Sequence, residues 1–407
     1  MATCKLNEIL VNEGIKQSRL ADISGLSLGT INKAAKGKRQ PSPTAKAQIV
    51  IALNKAIEEL KGTKGAYTVS NIWPESINDV WSSLKAQYHE GLQDTELKQE
   101  RIKAEQAIDL ASKNYHQRYL KRHCNIKVLP GLMDAAKPLD TIYTAVKFLM
   151  VSDLKYFSLD NLEDLYRESG KRLLRVGNNE RQDGLTAANN EQYLMVLGGP
   201  GVGKSTFLRK LGLEALENRL AHNLVPVFIE LKSFKSEEMT LLEAIANELE
   251  VSGFPYADSL VESMLSDGKM LILLDGLDEV LPEQVDGVIE QIRNFCDQYQ
   301  QNRFVASCRV AAYKGGFNRF TNVTIAEFDD DQIEQFIRDW FSSELDEASE
   351  TAKQFWEMLQ RPENASSNEL AQTPLLLTFL CLVYDRSQSL PAVRSTLYGD
   401  ALNIILY

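Results

Sequence analysis

Residues 198–206 read Gly-Gly-Pro-Gly-Val-Gly-Lys-Ser-Thr, directly behind the apolar run of residues 193–197 and ahead of a stretch with helical spacing. The run has the length and composition of a strand buried on both faces of a parallel sheet. The glycines allow a loop tight enough for backbone N–H groups to curl round a phosphate, and the following helix turns its positive end to the same point. Lys204 is placed to reach the β- and γ-oxygens of a nucleotide, and Ser205 to offer a hydroxyl to Mg2+. The candidate phosphate loop is therefore Gly198, Gly199, Pro200, Gly201, Val202, Gly203, Lys204, Ser205 and Thr206.

Such a loop needs an acidic partner on a neighbouring strand. Residues 270–274 are uninterruptedly apolar and lead into Asp275, after which Gly276, Leu277, Asp278 and Glu279 follow. A carboxylate at the tip of a buried strand suits a metal held through water, so Asp275 joins Ser205 as the candidate Mg2+ site. Asp278 or Glu279 is the candidate that orients the attacking water. As plain structure these acids would form a solvated loop, a reading that fits Glu279 better than Asp275.

With these motifs in view, the small residue after Asp275 followed by Leu-Asp-Glu resembles NACHT domains, the nucleotide switches of NLR and bacterial NLR-like proteins. Residues 226–232 look like that family's second strand, and residues 304–309 like its sensor-1 strand, which implies that Arg309 lies near the γ-phosphate. Residues 328–341 look like the entry to its helical lid. Residues 370–377 resemble the segment whose proline packs on adenine, which carries that role to Pro374; Gln372 stands where a glycine is frequent. The resemblance covers about residues 115–407 and implies slow hydrolysis of ATP to ADP, a Mg2+ cofactor and self-association on activation. Among bacterial relatives it implies defence against phage.

The amino-terminal stretch has a different character. Residues 1–64 carry eleven Lys/Arg against five Asp/Glu, +6 within a chain of net charge −11, which leaves −17 for the rest. Residues 6–55 read as five short helices, the central pair at residues 17–23 and 27–36 joined by a turn at Gly25 with Ser27 as N-cap. Leu20, Ala21, Ile23, Leu26, Ile31 and Ala35 would face inward. This stretch resembles the Cro/repressor class of helix-turn-helix domains, continuing through the basic loop at residues 37–43. By position the resemblance assigns Ser27, Thr30, Asn32 and Lys33 to base edges and Gln17, Lys38 and Arg39 to phosphates. The alternative is a small helical bundle that contacts protein.

Between the two regions, residues 65–90 read as loop, and residues 91–122 as one polar helix, a spacer or partly exposed arm with a thin stripe at Leu97, Ile102, Ile108, Ala111, Tyr115 and Tyr119. Residues 139–148 alternate like an edge strand, and residues 177–190 read as a polar, flexible loop. His116, His123 and Cys124 lie close together, but no second cluster offers a fourth zinc ligand, so they read as a charged helix end. The five scattered cysteines fit a reducing cytoplasm better than a disulfide framework. No signal-peptide pattern opens the chain, and its longest apolar run, residues 374–384, is far below the ~20 residues that cross a bilayer.

The expected fold is an α/β P-loop NTPase core with parallel strands ending at Leu197, Leu231, Leu274 and Ser307. The expected division is a helix-turn-helix domain at 1–64, a helical linker at 65–135, the nucleotide-binding core at 136–330 and a helical lid at 331–385. Residues 386–407 read as the start of a winged-helix domain that stops inside an apolar helix, so a trigger-sensing region is expected beyond Tyr407. The competing functional reading is a transcription regulator with the helix-turn-helix as output; an adaptor is the third.

Overall fold

The computed structural model describes residues 5–36, 43–61, 97–129, 133, 136–150, 181–234, 239–254 and 257–390. The chain divides into two compact units, residues 1–101 with 215–225 and residues 102–214 with 226–407.

In the first unit the described residues after Lys5 form α1 (Leu6–Glu13), α2 (Gln17–Ser24), α3 (Leu28–Ala35) and α4 (Pro43–Lys61). Gly25 closes α2 in the left-handed region at φ 69°, and the Ser27 hydroxyl caps α3 by accepting from Thr30 N. Leu6, Leu20, Ile31, Ile49 and Leu53 are wholly buried between the four helices, with Ile23 and Leu26 at their margin. Where two short helices were expected to finish the module, α4 runs unbroken for 19 residues. Proline at its first position and the Ala, Leu, Ile, Lys and Glu content that follows provide no reason to stop.

The second unit is built on a seven-stranded sheet. Its strands are β3 (Lys147–Met150), β4 (Gln182–Asp183), β5 (Tyr193–Gly198), β6 (Val225–Glu230), β7 (Met270–Asp275), β8 (Arg303–Arg309) and β9 (Thr321–Ile325), in the order β4-β3-β9-β5-β8-β7-β6. β5 lies parallel to β8 and β9, and β7 parallel to β8, with Leu197 opposite Cys308 and Leu274 opposite Ala306. All residues of β5 are buried, as two-sided cover by helices requires. The expected strands are present, ending at Gly198, Glu230, Asp275 and Arg309. Parallel β9 and the antiparallel pair β3–β4 were not foreseen. A separate two-stranded ribbon joins β1 (Asn125–Ile126) to β2 (Lys137–Pro138).

Three local expectations are corrected. Residues 139–142 are a turn of helix, not an edge strand, because Leu139 and Ile142 are both buried at helical spacing and Tyr143 N donates to Leu139 O; only β3 is extended. Of residues 177–190, the described part from Gly184 is helical, capped by Asp183 Oδ1 on Thr186 N at 2.8 Å with Gly184, Ala187 and Ala188 inward. The long helix α5 (Leu97–His123) is no exposed arm at its carboxyl end. Tyr115 donates to Pro226 O at 2.5 Å, and Arg122 grips both Glu248 oxygens at 2.8 Å. Gly212 gives Tyr119 its room: a Cβ there would lie 1.9 Å from the phenol oxygen. His123 ends the helix buried between the rings of Tyr119 and Phe228.

Beyond β9, α12 (Asp330–Trp340), α13 (Glu344–Ala348), α14 (Thr351–Leu359), α15 (Ala365–Ala371) and α16 (Pro374–Ser387) form the helical part. Asp329 caps α12 and is itself held by Lys147 of β3 at 2.6 Å, while Gln332 donates to Ala145 O at 2.6 Å. These bonds fix the helical part beside the sheet. The expected loop at 65–90 and the apolar end at 397–407 lie outside the described residues.

Candidate nucleotide-binding site

The carboxyl ends of β5, β7 and β8 meet at one point, as the crevice of an open α/β sheet does. From β5 the loop passes Gly198 to Gly203 and enters α8 (Lys204–Leu216). Gly201 stands at φ 76°, and its Cβ would come 2.8 Å from Leu375 Cβ. The close approach is sealed by Leu375 N donating to Gly201 O at 3.2 Å. Lys204 folds back so that Nζ donates to Gly198 O at 3.1 Å and Gly199 O at 2.9 Å. Burial pushes its ammonium below the usual lysine range, opposed by the nearby Asp278 carboxylate. A cation held, among the described residues, by two carbonyl oxygens is poised for an anion.

Asp275 receives two hydroxyl donors on Oδ1, from Ser205 at 3.0 Å and from Ser307 at 2.7 Å. Ser307 in turn accepts Gly276 N–H at 2.9 Å, so one buried hydroxyl fixes both the acid and the turn behind it. Asp278 faces β8: its Oδ1 accepts Arg309 N–H at 2.9 Å and its Oδ2 lies 2.8 Å from Arg309 Nε as an ion pair. Glu279 is exposed at the cavity wall. A hydroxyl and a carboxylate oxygen 3.0 Å apart suit Mg2+, which prefers oxygen donors and completes its shell with phosphate and water.

Next to these groups opens a cavity of about 350 Å³. Its polar wall carries Lys204, Ser205, Thr206, Asp278, Glu279 and Arg309; its apolar wall is formed by Ile142, Val146, Phe328, Phe336, Pro374 and Leu375. Thr144 also lines it, and its hydroxyl is buried without a hydrogen-bond partner among the described residues. The candidate phosphate loop, both candidate water-orienting acids, Arg309 and Pro374 are thus brought together, with Asp275 behind Ser205. Ser307, Thr144 and the apolar wall apart from Pro374 were missed. Ser307 had a readable signal, a lone hydroxyl within an otherwise apolar strand. Residues 142–146 were hidden by the mistaken edge strand.

The candidate DNA-contacting residues belong to the first unit. Ser27 and Lys33 are exposed, Thr30 and Asn32 half-buried, and Gln17 donates to Asn7 Oδ1 at 3.3 Å. The Ser27 and Thr30 hydroxyls lie 2.9 Å apart and satisfy one another. Lys38 and Arg39 lie outside the described residues.

The family model of the NACHT domain matches residues 192–344. Comparison with curated proteins gives no match. Among solved structures, domain III of the replication initiation protein DnaA from Thermotoga maritima is 14% identical, covering 53% of this chain and 90% of that chain at a TM-score of 0.30. PCH-2 of C. elegans is 14% identical, covering 66% of this chain and 71% of that chain at a TM-score of 0.31. The family match begins one residue before β5 and ends just beyond α12, so it encloses the phosphate loop, Asp275 and Arg309. A NACHT domain with a P-loop NTPase-like fold is therefore supported at residues 192–344.

Proposed function

We propose that this protein is an ATP/ADP-driven switch that hydrolyses ATP slowly and uses the bound nucleotide to time a movement of its helical lid. The observation that carries the reading is the half-buried Lys204 ammonium, held by two loop carbonyls beside a cavity that Ser205, itself bonded to Asp275, and Arg309 also line.

The loop amides and Lys204 bind the β- and γ-phosphates, and the apolar wall with Pro374 takes the base, whose polar edge meets the Thr144 hydroxyl. Ser205 and Asp275 hold Mg2+, which when bound neutralises phosphate charge. Asp278 or Glu279 orients a water for attack on the γ-phosphorus and takes its proton as the bond to the β-oxygen breaks and ADP departs. Arg309 meets the charge on the transferred group. Members of the NACHT class couple such a cycle to self-association, which we extend to this chain, together with a cytoplasmic setting and, by resemblance to bacterial relatives, a part in phage defence.

Lys204→Ala tests the reading. Among the described residues the lysine makes no ion pair, so the fold should persist while affinity for ADP, followed by calorimetry, falls by about 100-fold, the loss of a charged phosphate contact. An unchanged ADP affinity overturns the phosphate-loop assignment.

A second reading, nucleotide-controlled DNA binding through a helix-turn-helix of the first unit, is favoured by two observations: the +6 charge of residues 1–64 and the Ser27-capped α3 entered from a tight turn at Gly25.

A further inference from the structure

The two acids that follow Asp275 are not in equivalent places. Asp278 has a side chain only 7% exposed, with both oxygens engaged by one residue, Arg309. Glu279 lines the cavity and makes no side-chain hydrogen bond among the described residues. A buried carboxylate with one oxygen accepting a backbone N–H and the other paired with a guanidinium is poorly placed to accept a proton from water as well, since each further bond competes with the contacts already made.

What Asp278 does for Arg309 is specific. Through Oδ1 it takes the last N–H of β8, where pairing with β5 ends at Gly198 opposite Arg309. Through Oδ2 it pairs with Nε, the inner corner of the guanidinium, at 2.8 Å. The arginine side chain is 53% exposed and lines the cavity, and its Nη groups meet no acceptor among the described residues. A guanidinium gripped at Nε is fixed in direction but keeps its outer N–H groups for a planar anion such as a phosphoryl group. The Asp278 charge also offsets the repulsion between Lys204 and Arg309, which act on one another across the same cavity.

We propose that Asp278 is a positioning residue for Arg309, that the pair reads the γ-phosphate and so sets the preference between ATP and ADP, and that Glu279 alone orients the attacking water. The proposal rests on the nucleotide reading above, and its test separates the two.

The affinities of ADP and of a non-hydrolysable ATP analogue, with single-turnover rates for ATP, are measured on the full chain for wild type, Asp278→Asn, Arg309→Ala, the double variant and Glu279→Gln. Asp278→Asn and Arg309→Ala should each lower the preference for the ATP analogue over ADP by about tenfold, the scale of one charged hydrogen bond. The double variant should be no worse than either single one, because the pair acts as a unit. Glu279→Gln should lose turnover and keep the preference. The idea is overturned if Asp278→Asn abolishes turnover with the preference intact, or if the two single losses add. Asp278→Asn nearly preserves shape, and Arg309→Ala removes an exposed side chain, so a misfolded Asp278 variant still leaves the Arg309 and Glu279 arms to decide. Failure of the wild type to bind either nucleotide would sink the nucleotide reading itself.

Discussion

Ser307 shows how much a single hydroxyl can govern. It has one proton, given to Asp275, and it takes the N–H of Gly276, so acid and turn share one buried point. Ser307→Ala leaves that N–H without its acceptor, a loss of ~1–3 kcal/mol in stability. It also frees Asp275 from an orienting donor, and partners of this kind alter metal affinity by roughly 10–100-fold. The Mg2+ needed to enhance ADP binding should therefore rise by about an order of magnitude in Ser307→Ala, while ADP affinity without Mg2+ stays put; Ser307→Thr should restore both. Titration of Mg2+ in calorimetry checks this, and an unmoved midpoint excludes a role for Ser307 at Asp275.

At the scale of elements, the docking of α5 depends on an imidazole that cannot easily be charged. Burial, with Arg122, Arg209 and Arg118 nearby, depresses His123 to about 3 from its ordinary 6.5. The unfolded chain then binds the proton that the folded one refuses, so this contribution is intact above pH ~6.5 and declines as pH falls toward 3, by at most ~1.4 kcal/mol per unit. Denaturant midpoints between pH 7 and 5 should slope downward, and His123→Phe should flatten the slope; an equal slope in the variant would show that other groups set it. The same helix marks where sequence reading ran out. The strands flanking the phosphate site and the stripe of Ile108, Ala111, Tyr115 and Tyr119 were legible, because apolar runs and helical spacing are local. That Tyr119 faces a helical glycine and Tyr115 a backbone carbonyl more than a hundred residues away is not local, and a thin stripe alone does not reveal its partner. Residues 139–148 failed for the opposite reason. Their alternation fits a strand, and only the burial of Leu139 with Ile142 decides for a helical turn.

For the molecule as a whole, charge is divided along the sequence, with +6 in residues 1–64 and −17 in the remainder. If the first unit meets duplex DNA, phosphate neutralisation should dominate, because Ser27 and Thr30 satisfy one another and offer little bidentate readout of bases. Binding of the full chain should be weak, indifferent to sequence and lost steeply between about 50 and 200 mM salt. Flat binding across that range, or none at the lowest salt, favours a protein-contact module. The hydrogen bond from Leu375 N to Gly201 O has a wider consequence. It joins the candidate phosphate loop to the helix that begins at Pro374, so on the proposed reading the two ends of a bound nucleotide are enclosed by segments fastened to each other. Release must first unfasten the enclosure. Residence time then becomes a property of the protein's own opening rather than of the ligand's grip, and a molecule built this way keeps a memory of the last nucleotide it held.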